Sequence, residues 1–305
     1  MAGSRLTLPV TVLYGLAICF IIGVIQHQWW IQLVCYILAT YLMILLNNFN
    51  ALIRVYSRAI TSAFIILSSV ACFLFPSLEG GIVSVGIIAS LLTLFATYQD
   101  HEATGWVYYT FLILGVASLA KVHLLVFIPI YWIMMIFLSS HSLRTFIASL
   151  FGLLTPYWFW IAAVIFIYKG DFIPITNHFS PLMEVDFLNT YSNIPLSHYL
   201  TYAFLVILTI TGIVHFVRTS YNDKIRTRQL YYCIMFFNIV TLVLLPLFPQ
   251  HYDLLFRLAI ILTSPLIGHF IALTNTKVTN IAFYLILITA LLLTGFNLWT
   301  SSFTS

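Results

Sequence analysis

The chain is a succession of apolar runs, each about twenty residues long, that contain almost no charged residues. Charged residues make up 7% of the sequence and hydrophobic residues 62%, and the mean hydropathy is +1.06. An apolar helix of about 20 residues spans a hydrocarbon core of roughly 30 Å, and backbone polar groups in lipid must be hydrogen-bonded within the helix. The sequence therefore predicts an all-α, polytopic bundle of transmembrane helices.

We predict about eleven spans, near residues 7–25, 29–46, 58–75, 80–98, 104–119, 122–138, 144–168, 198–217, 229–248, 252–272 and 279–298. The fifth and sixth spans are short and meet at Lys121, so ten spans is the alternative count. We expect residues 1–305 to form a single integral membrane domain. Its one sizeable connection, 169–196, mixes Pro, Asn and acids with apolar residues, which predicts a short helix lying at the membrane interface.

Lys and Arg are concentrated in alternate connections between these runs. If the N-terminus is cytoplasmic, the outer connections hold Lys121 and Lys169, and the cytoplasmic side holds Arg5, Arg54, Arg58, Arg144, Arg218, Lys224, Arg226, Arg228 and Lys277. Cytoplasmic connections are enriched in Lys and Arg. The pattern therefore predicts a cytoplasmic N-terminus and an outer C-terminus. The net charge of +4 follows from this bias, so we expect lipid partners and no nucleic acid.

The sequence indicates neither a cofactor nor a metal. It contains no Walker loop, GxSxG or HExxH motif, and these motifs mark common phosphate, nucleophile and zinc sites. We expect His215 and His269, near the inner ends of their spans, not to face each other. Four cysteines fall within apolar runs without a CxxC pair, so we expect no disulfide or redox role; they are Cys19, Cys35, Cys72 and Cys233.

Ionisable side chains at membrane depth are costly, so each is a functional candidate. Six lie near outer ends of spans: Glu79, Lys121, His123, His251, Asp253 and Arg257. Because Asp253 and Arg257 are four residues apart on a helix, they share a face and can pair. The alternative is that Arg257 and Lys121, with His123 and His251 nearby, hold the phosphate of a lipid head group.

Other acidic residues lie in connections. On the inner side, Asp100 and Glu102 precede the fifth span and are predicted to cap its N-terminus. On the outer side, the connection 169–196 contains Glu184 and Asp186, which join Glu79 as candidate catalytic bases. A base of this kind would activate an acceptor hydroxyl.

The region from Arg54 to about Trp160 is similar to the core of the C-type (GT-C) glycosyltransferases. The shared features are a span ending in FP, with the acid Glu79 just after it, a Trp-led span closing in GVASLAK, and a span containing LLTPYWFW. The later segment PQHYDLLFRLAIILTSPLIGHFIAL resembles that family's Pro-containing helix. The resemblance implies sugar transfer from a polyprenyl-phosphate carrier on the outer side, with Lys121 approaching the carrier phosphate.

The same features, led by LLNNFNALIRVYSR, also resemble a family of bacterial inner-membrane proteins that carries no assigned activity. One departure from the GT-C pattern concerns catalysis. That family carries its catalytic acid in a long loop after the first span, whereas this connection reads Gln26-His27-Gln28 and holds no carboxylate. Either an acid of the connection 169–196 substitutes for it, or the chain keeps the scaffold without the chemistry.

Three functions follow as hypotheses. The first is a divergent glycosyltransferase, or another protein that handles a polyprenyl-phosphate lipid of the cell envelope. The second is a non-catalytic membrane subunit that packs against other proteins of an envelope complex. The third is a transporter or flippase, although charged residues near the middle of the predicted spans are scarce.

Overall fold

The computed structural model describes residues 6–169, 172–182, 194–274 and 276–304, the last four of them through their backbone. Within these ranges the chain is helical and contains no strand, which confirms the predicted all-α class. Its helices are α1 (Thr7–Ile21), α2 (Trp30–Asn50), α3 (Ala59–Val70), α4 (Leu78–Phe95), α5 (Thr104–Ala120), α6 (Ile128–Phe137), α7 (Leu143–Ile167), α8 (Ile173–Phe179), α9 (Leu196–Thr219), α10 (Ile225–Leu247), α11 (Tyr252–Leu273) and α12 (Lys277–Thr304).

Seven of the described helices are long and apolar enough to cross a membrane, namely α2, α4, α7, α9, α10, α11 and α12. Four shorter apolar helices contain 10–17 residues: α1, α3, α5 and the segment Val122–Phe137. Each predicted span overlaps one of these helices. Length and composition thus support a multi-pass membrane protein with seven candidate crossings, and the full count of eleven stays a prediction.

The helices α5 and α6 are separated by a break in the chain at Lys121. This residue follows the end of α5 with an extended backbone (φ −145°, ψ 99°), and the 3-10 helix Val122–Phe127 leads into α6. The two short apolar runs are therefore two helices that do not continue into each other.

The start of α5 differs from the prediction, because no side chain caps the helix there. Ala103 is the N-cap residue. The Asp100 carboxylate instead accepts a hydrogen bond from the Glu102 N–H at 2.8 Å, and Glu102 lies 3.6 Å from the Arg144 guanidinium. The predicted capping by these acids is thus wrong, because the Asp100 carboxylate bonds within the preceding turn and the Glu102 carboxylate faces Arg144 of α7.

The described chain separates into two compact units, one made of residues 1–81 and 190–305 and the other of residues 82–189. In the first unit α3 and α11 form the buried centre, and ten of the twelve residues of α3 are buried. A Cβ added at Gly268 of α11 would lie 2.8 Å from the Cα of Ile60. Small residues allow such close approach of helices in membranes, so α3 and α11 pack backbone against backbone.

The helix α3 ends inside the first unit, where α12 supplies a hydrogen-bond partner. Twelve residues span about 18 Å, less than a hydrocarbon core. The Asn297 amide of α12 donates to the carbonyl of Val70, the last residue of α3, at 2.6 Å, and to Thr201 Oγ1 of α9 at 3.0 Å. Asn297 therefore satisfies a carbonyl that the end of α3 leaves open.

The second unit is built on the close pair α5 and α7. A Cβ at Gly115 would lie 2.6 Å from Pro156 Cγ, and the hydroxyls of Ser118 and Tyr157 are 2.8 Å apart. Within the predicted connection 169–196, the described residues contain α8 and the 3-10 helix Ser180–Leu182. Residues 183–193 lie outside the described ranges.

Candidate functional site

The predicted site residues fall in both compact units. Glu79, His251 and Arg257 belong to the first unit, whereas Lys121 and His123 belong to the second. The other two predicted carboxylates, Glu184 and Asp186, lie outside the described residues.

Arg257 and Asp253 form an internal salt bridge, as their spacing on α11 predicts. The Arg257 Nε donates to the Asp253 carboxylate at 2.9 Å, and the two side chains are 12% and 14% exposed. The guanidinium also donates to the carbonyls of Leu74 and Ser77, and the Ser77 hydroxyl donates to the same carboxylate at 3.2 Å. Arg257 thus ties α11 to the chain between α3 and α4.

The glycine at the start of α4 makes room for this arginine. A Cβ at Gly80 would overlap the Arg257 guanidinium. Glu79, the neighbouring residue, is exposed in the first turn of α4, and His251 is half-buried in the 3-10 helix that precedes α11. Among the predicted residues of this unit, Glu79 has the solvent access that a base acting on an acceptor needs.

An aromatic cavity opens at the same end of the first unit, where α9 begins, α10 ends and α11 begins. Its volume is about 490 Å³, within the range of roughly 300–1,000 Å³ typical of small-molecule sites. The walls are apolar and aromatic, with few polar groups. They are formed by Ile194, Pro195, His198, Tyr199, Tyr202, Leu245, Pro246, Pro249, Gln250, Tyr252 and Phe256.

His198 occupies the centre of the aromatic wall. Its ring centroid lies 4.2 Å from that of Phe73, 4.7 Å from that of Tyr252 and 5.9 Å from that of Phe256. The side-chain oxygen of Gln250 is buried without a hydrogen-bond partner. The cavity thus presents a large apolar surface with few polar groups. Sequence reasoning missed this cavity, since apolar rings at span ends are typical of interface anchoring.

The second unit presents another group of polar residues, around the break at Lys121. His123 Nε2 lies 3.2 Å from the carbonyl of Pro181, beside α8. On α8 itself, the His178 ring is 4.7 Å from Trp160 and its Nε2 is buried without a hydrogen-bond partner. Burial lowers the pKa of the His178 imidazole, because the apolar surroundings disfavour the charged form.

A buried histidine–aspartate pair, which sequence reasoning missed, lies at the other end of α9–α11 in the first unit. His269 Nε2 is 3.1 Å from the Asp223 carboxylate, and the two side chains are 0% and 1% exposed. The His215 ring centroid lies 5.4 Å from that of His269, so the prediction that these two histidines do not face each other is wrong. Asp223 sits among Lys and Arg in a connection, a pattern typical of a solvated turn; its burial depends on contacts from other helices.

A third polar group lies between these two ends. The Asn238 amide of α10 donates to Thr209 Oγ1 of α9 at 3.2 Å and to Thr263 Oγ1 of α11 at 3.0 Å. All three side chains are buried. Polar side chains that hydrogen-bond between helices stabilise helix packing inside a membrane. Asn238 therefore links α9, α10 and α11 near their midpoints.

These features define a class, the multi-pass helical membrane protein, with an aromatic cavity and a buried ionic pair in one unit. Among the described residues, no group of three or more His, Cys, Asp or Glu has an arrangement that could hold a metal ion. Comparisons with protein-family models, curated proteins and solved structures give no match.

Proposed function

We propose that this chain is a bacterial inner-membrane protein that binds a polyprenyl-phosphate lipid, and that the aromatic cavity takes part of the hydrocarbon chain of that lipid. The observation that carries the proposal is the cavity of about 490 Å³. Mostly apolar walls with a few polar groups are the usual composition of a site for a small amphipathic molecule.

The predicted topology supports this assignment. The distribution of Lys and Arg puts the cavity end of α9–α11 on the outer side of the membrane, where GT-C glycosyltransferases meet their carrier lipids. In the second unit, Lys121 is a separate candidate for binding a phosphate, because a Lys ammonium acts as a point charge toward phosphate oxygens. Sugar transfer would in addition require a carboxylate base, for which Glu79, Glu184 and Asp186 are the candidates.

The first experiment fills the cavity. Leu245 lines it, and Leu247, two residues further along α10, does not. In lipid nanodiscs containing a photoreactive polyprenyl phosphate, Leu245→Trp is expected to reduce labelling about tenfold, equivalent to about 1.4 kcal/mol. Leu247→Trp is the matched control, since Leu247 is 49% exposed, and it should label as the unmodified protein does. Equal labelling of the two variants would contradict the cavity as the lipid site.

The second experiment separates the head group from the chain. For the separate candidate in the second unit, polyprenyl phosphate and the neutral polyprenol of the same length compete for labelling of peptides from residues 82–189, and Lys121→Ala is expected to weaken competition by the phosphate alone. Lys277→Ala, at an exposed lysine, serves as the control. If native mass spectrometry instead finds retained phospholipid and no polyprenyl lipid, the carrier assignment is wrong.

A further inference from the structure

The His269–Asp223 pair plays no part in the proposed lipid site and lies at the other end of α9–α11. Asp223 belongs to the turn between α9 and α10, and His269 to the last turns of α11. A carboxylate withdrawn from water at this depth requires a compensating partner. His269 supplies a hydrogen bond, and the Arg54 guanidinium, 3.9 Å from Asp223 Oδ1, supplies positive charge.

The hydrogen bond fixes which ring nitrogen of His269 carries a proton. An ionised carboxylate accepts and does not donate, so Nε2–H is the donor toward Asp223. The other nitrogen, Nδ1, then carries a basic lone pair, and this atom is buried without a hydrogen-bond partner. A carboxylate that orients one side of an imidazole and leaves the other nitrogen basic is the arrangement that makes histidine a proton acceptor.

The groups that face His269 allow its charge to change. From α9 comes His215, and from α10 comes Tyr231, whose ring centroid is 5.1 Å from that of His269. Asp223 and Arg54 come from two connections, and α3 contains no ionisable residue in its sequence. With His269 neutral, Arg54 balances Asp223; with His269 protonated, the carboxylate lies between two cations.

We propose that His269 and Asp223 form a proton-binding site. A proton from water adds to the Nδ1 lone pair, the neutral imidazole becomes imidazolium, and Asp223 keeps its hydrogen bond to Nε2–H in both states. Arg54, whose side chain is 38% exposed, marks where solvent reaches the cluster. Ionisable groups buried within helical membrane proteins commonly serve as proton relays. The site gives the first unit a group whose charge follows the pH, independently of lipid binding.

The test is nitrogen NMR of ¹⁵N-histidine-labelled protein in nanodiscs, recorded from about pH 4 to pH 8, a window extended below the ordinary histidine range because burial disfavours the charged ring. The signal lost in His269→Gln is expected to show the Nε2–H tautomer at the upper pH and the doubly protonated ring at the lower pH. If that signal stays in one state across the range, the pair is a structural hydrogen bond and the proposal is wrong.

Two further variants keep the test decisive if His269→Gln does not fold. Asp223→Asn is expected to abolish protonation of His269 over this range, because the imidazolium would then lie beside Arg54 without a counter-charge. Arg54→Gln removes the competing cation and should extend protonation to higher pH. His141→Gln, at an exposed histidine, must leave the same signal unchanged. A signal that neither Asp223→Asn nor Arg54→Gln displaces contradicts the assignment.

Discussion

The two ends of the group formed by α9, α10 and α11 are packed differently. At one end they surround the aromatic cavity, where Tyr199 is 45% and Tyr252 40% exposed. At the other end they close on the His269–Asp223 pair, where Tyr231 and His269 are 0% exposed. All three helices are apolar along their lengths, so hydropathy does not account for the difference.

The difference shows what charge does to packing in a medium of low dielectric. A buried carboxylate is stable only with its partners in place, so Asp223 fixes His269 and Arg54 around it. Rings at the cavity end have no such requirement, and they leave space between them. Substitutions should therefore lower the free energy of unfolding strongly at the ionic end and only slightly at the cavity wall. Four predictions test this contrast, from the largest expected effect to the smallest.

Removing the carboxylate should have the largest effect. Asp223→Ala leaves the buried His269 without its acceptor and Arg54 without its counter-ion, and is expected to lower the free energy of unfolding by about 3–5 kcal/mol. Unfolding in mixtures of mild detergent and dodecyl sulfate measures this. Glu102→Ala is the control, because Glu102 pairs with Arg144 at an exposed position and should change little. If the two variants are equally stable, the ionic end is not specified by its charges.

The second largest loss of stability is expected where the Arg257 guanidinium packs against Gly80. Gly80→Ala places a methyl group against the guanidinium and should lower the free energy of unfolding by about 1–3 kcal/mol, the usual cost of overpacking. The same change at Gly105, where nothing lies within 4 Å of an added Cβ, should stabilise the protein by up to about 1 kcal/mol. Opposite signs are expected, and a gain at both positions would mean that the contact with Arg257 is loose.

A substitution at the midpoint of α10 should lower the free energy of unfolding by a smaller amount. Asn238→Ala removes two hydrogen bonds between helices, and such bonds contribute about 0.6 kcal/mol on average inside membranes and at most roughly 2. The same unfolding assay compares it with Asn280→Ala, at an exposed residue of α12. A loss as large as that of Asp223→Ala would show that the polar group in the middle, and not the ionic pair, holds the three helices together.

The cavity wall should tolerate truncation best. Tyr199→Ala is expected to change the free energy of unfolding by about 0.5 kcal/mol or less, as for a surface position. Tyr231→Ala, the matched change at the ionic end, removes a fully buried ring and should cost roughly 3–5 kcal/mol. Similar losses would contradict the contrast between the two ends.

Several local features could be predicted because neighbours in sequence decide them. Every predicted apolar run overlaps a helix, since a chain in lipid has few other ways to satisfy its backbone. The pairing of Asp253 with Arg257 follows from a spacing of four residues on one helix. Capping of α5 by Asp100 and Glu102 was wrong as a prediction, because the preceding turn engages the Asp100 carboxylate and Arg144 of α7 engages that of Glu102.

Contacts between residues distant in sequence could not be predicted from such local patterns. Asp223 and His269 are 46 residues apart, and neither hydropathy nor charge pattern relates them. The aromatic cavity likewise draws its walls from three helices and two connections, and each ring by itself fits the pattern of an interface anchor.

The sequence by itself determined that this chain is helical, apolar and multi-pass, because the cost of exposing backbone and charge to hydrocarbon applies to each segment separately. Only the tertiary structure decided that α3 is enclosed by protein, that α9–α11 leave a cavity at one end, and that a histidine and an aspartate meet at the other. Those outcomes depend on which helix faces pack together, which the apolar pattern of membrane spans leaves open because lipid and protein interior are nearly equally apolar.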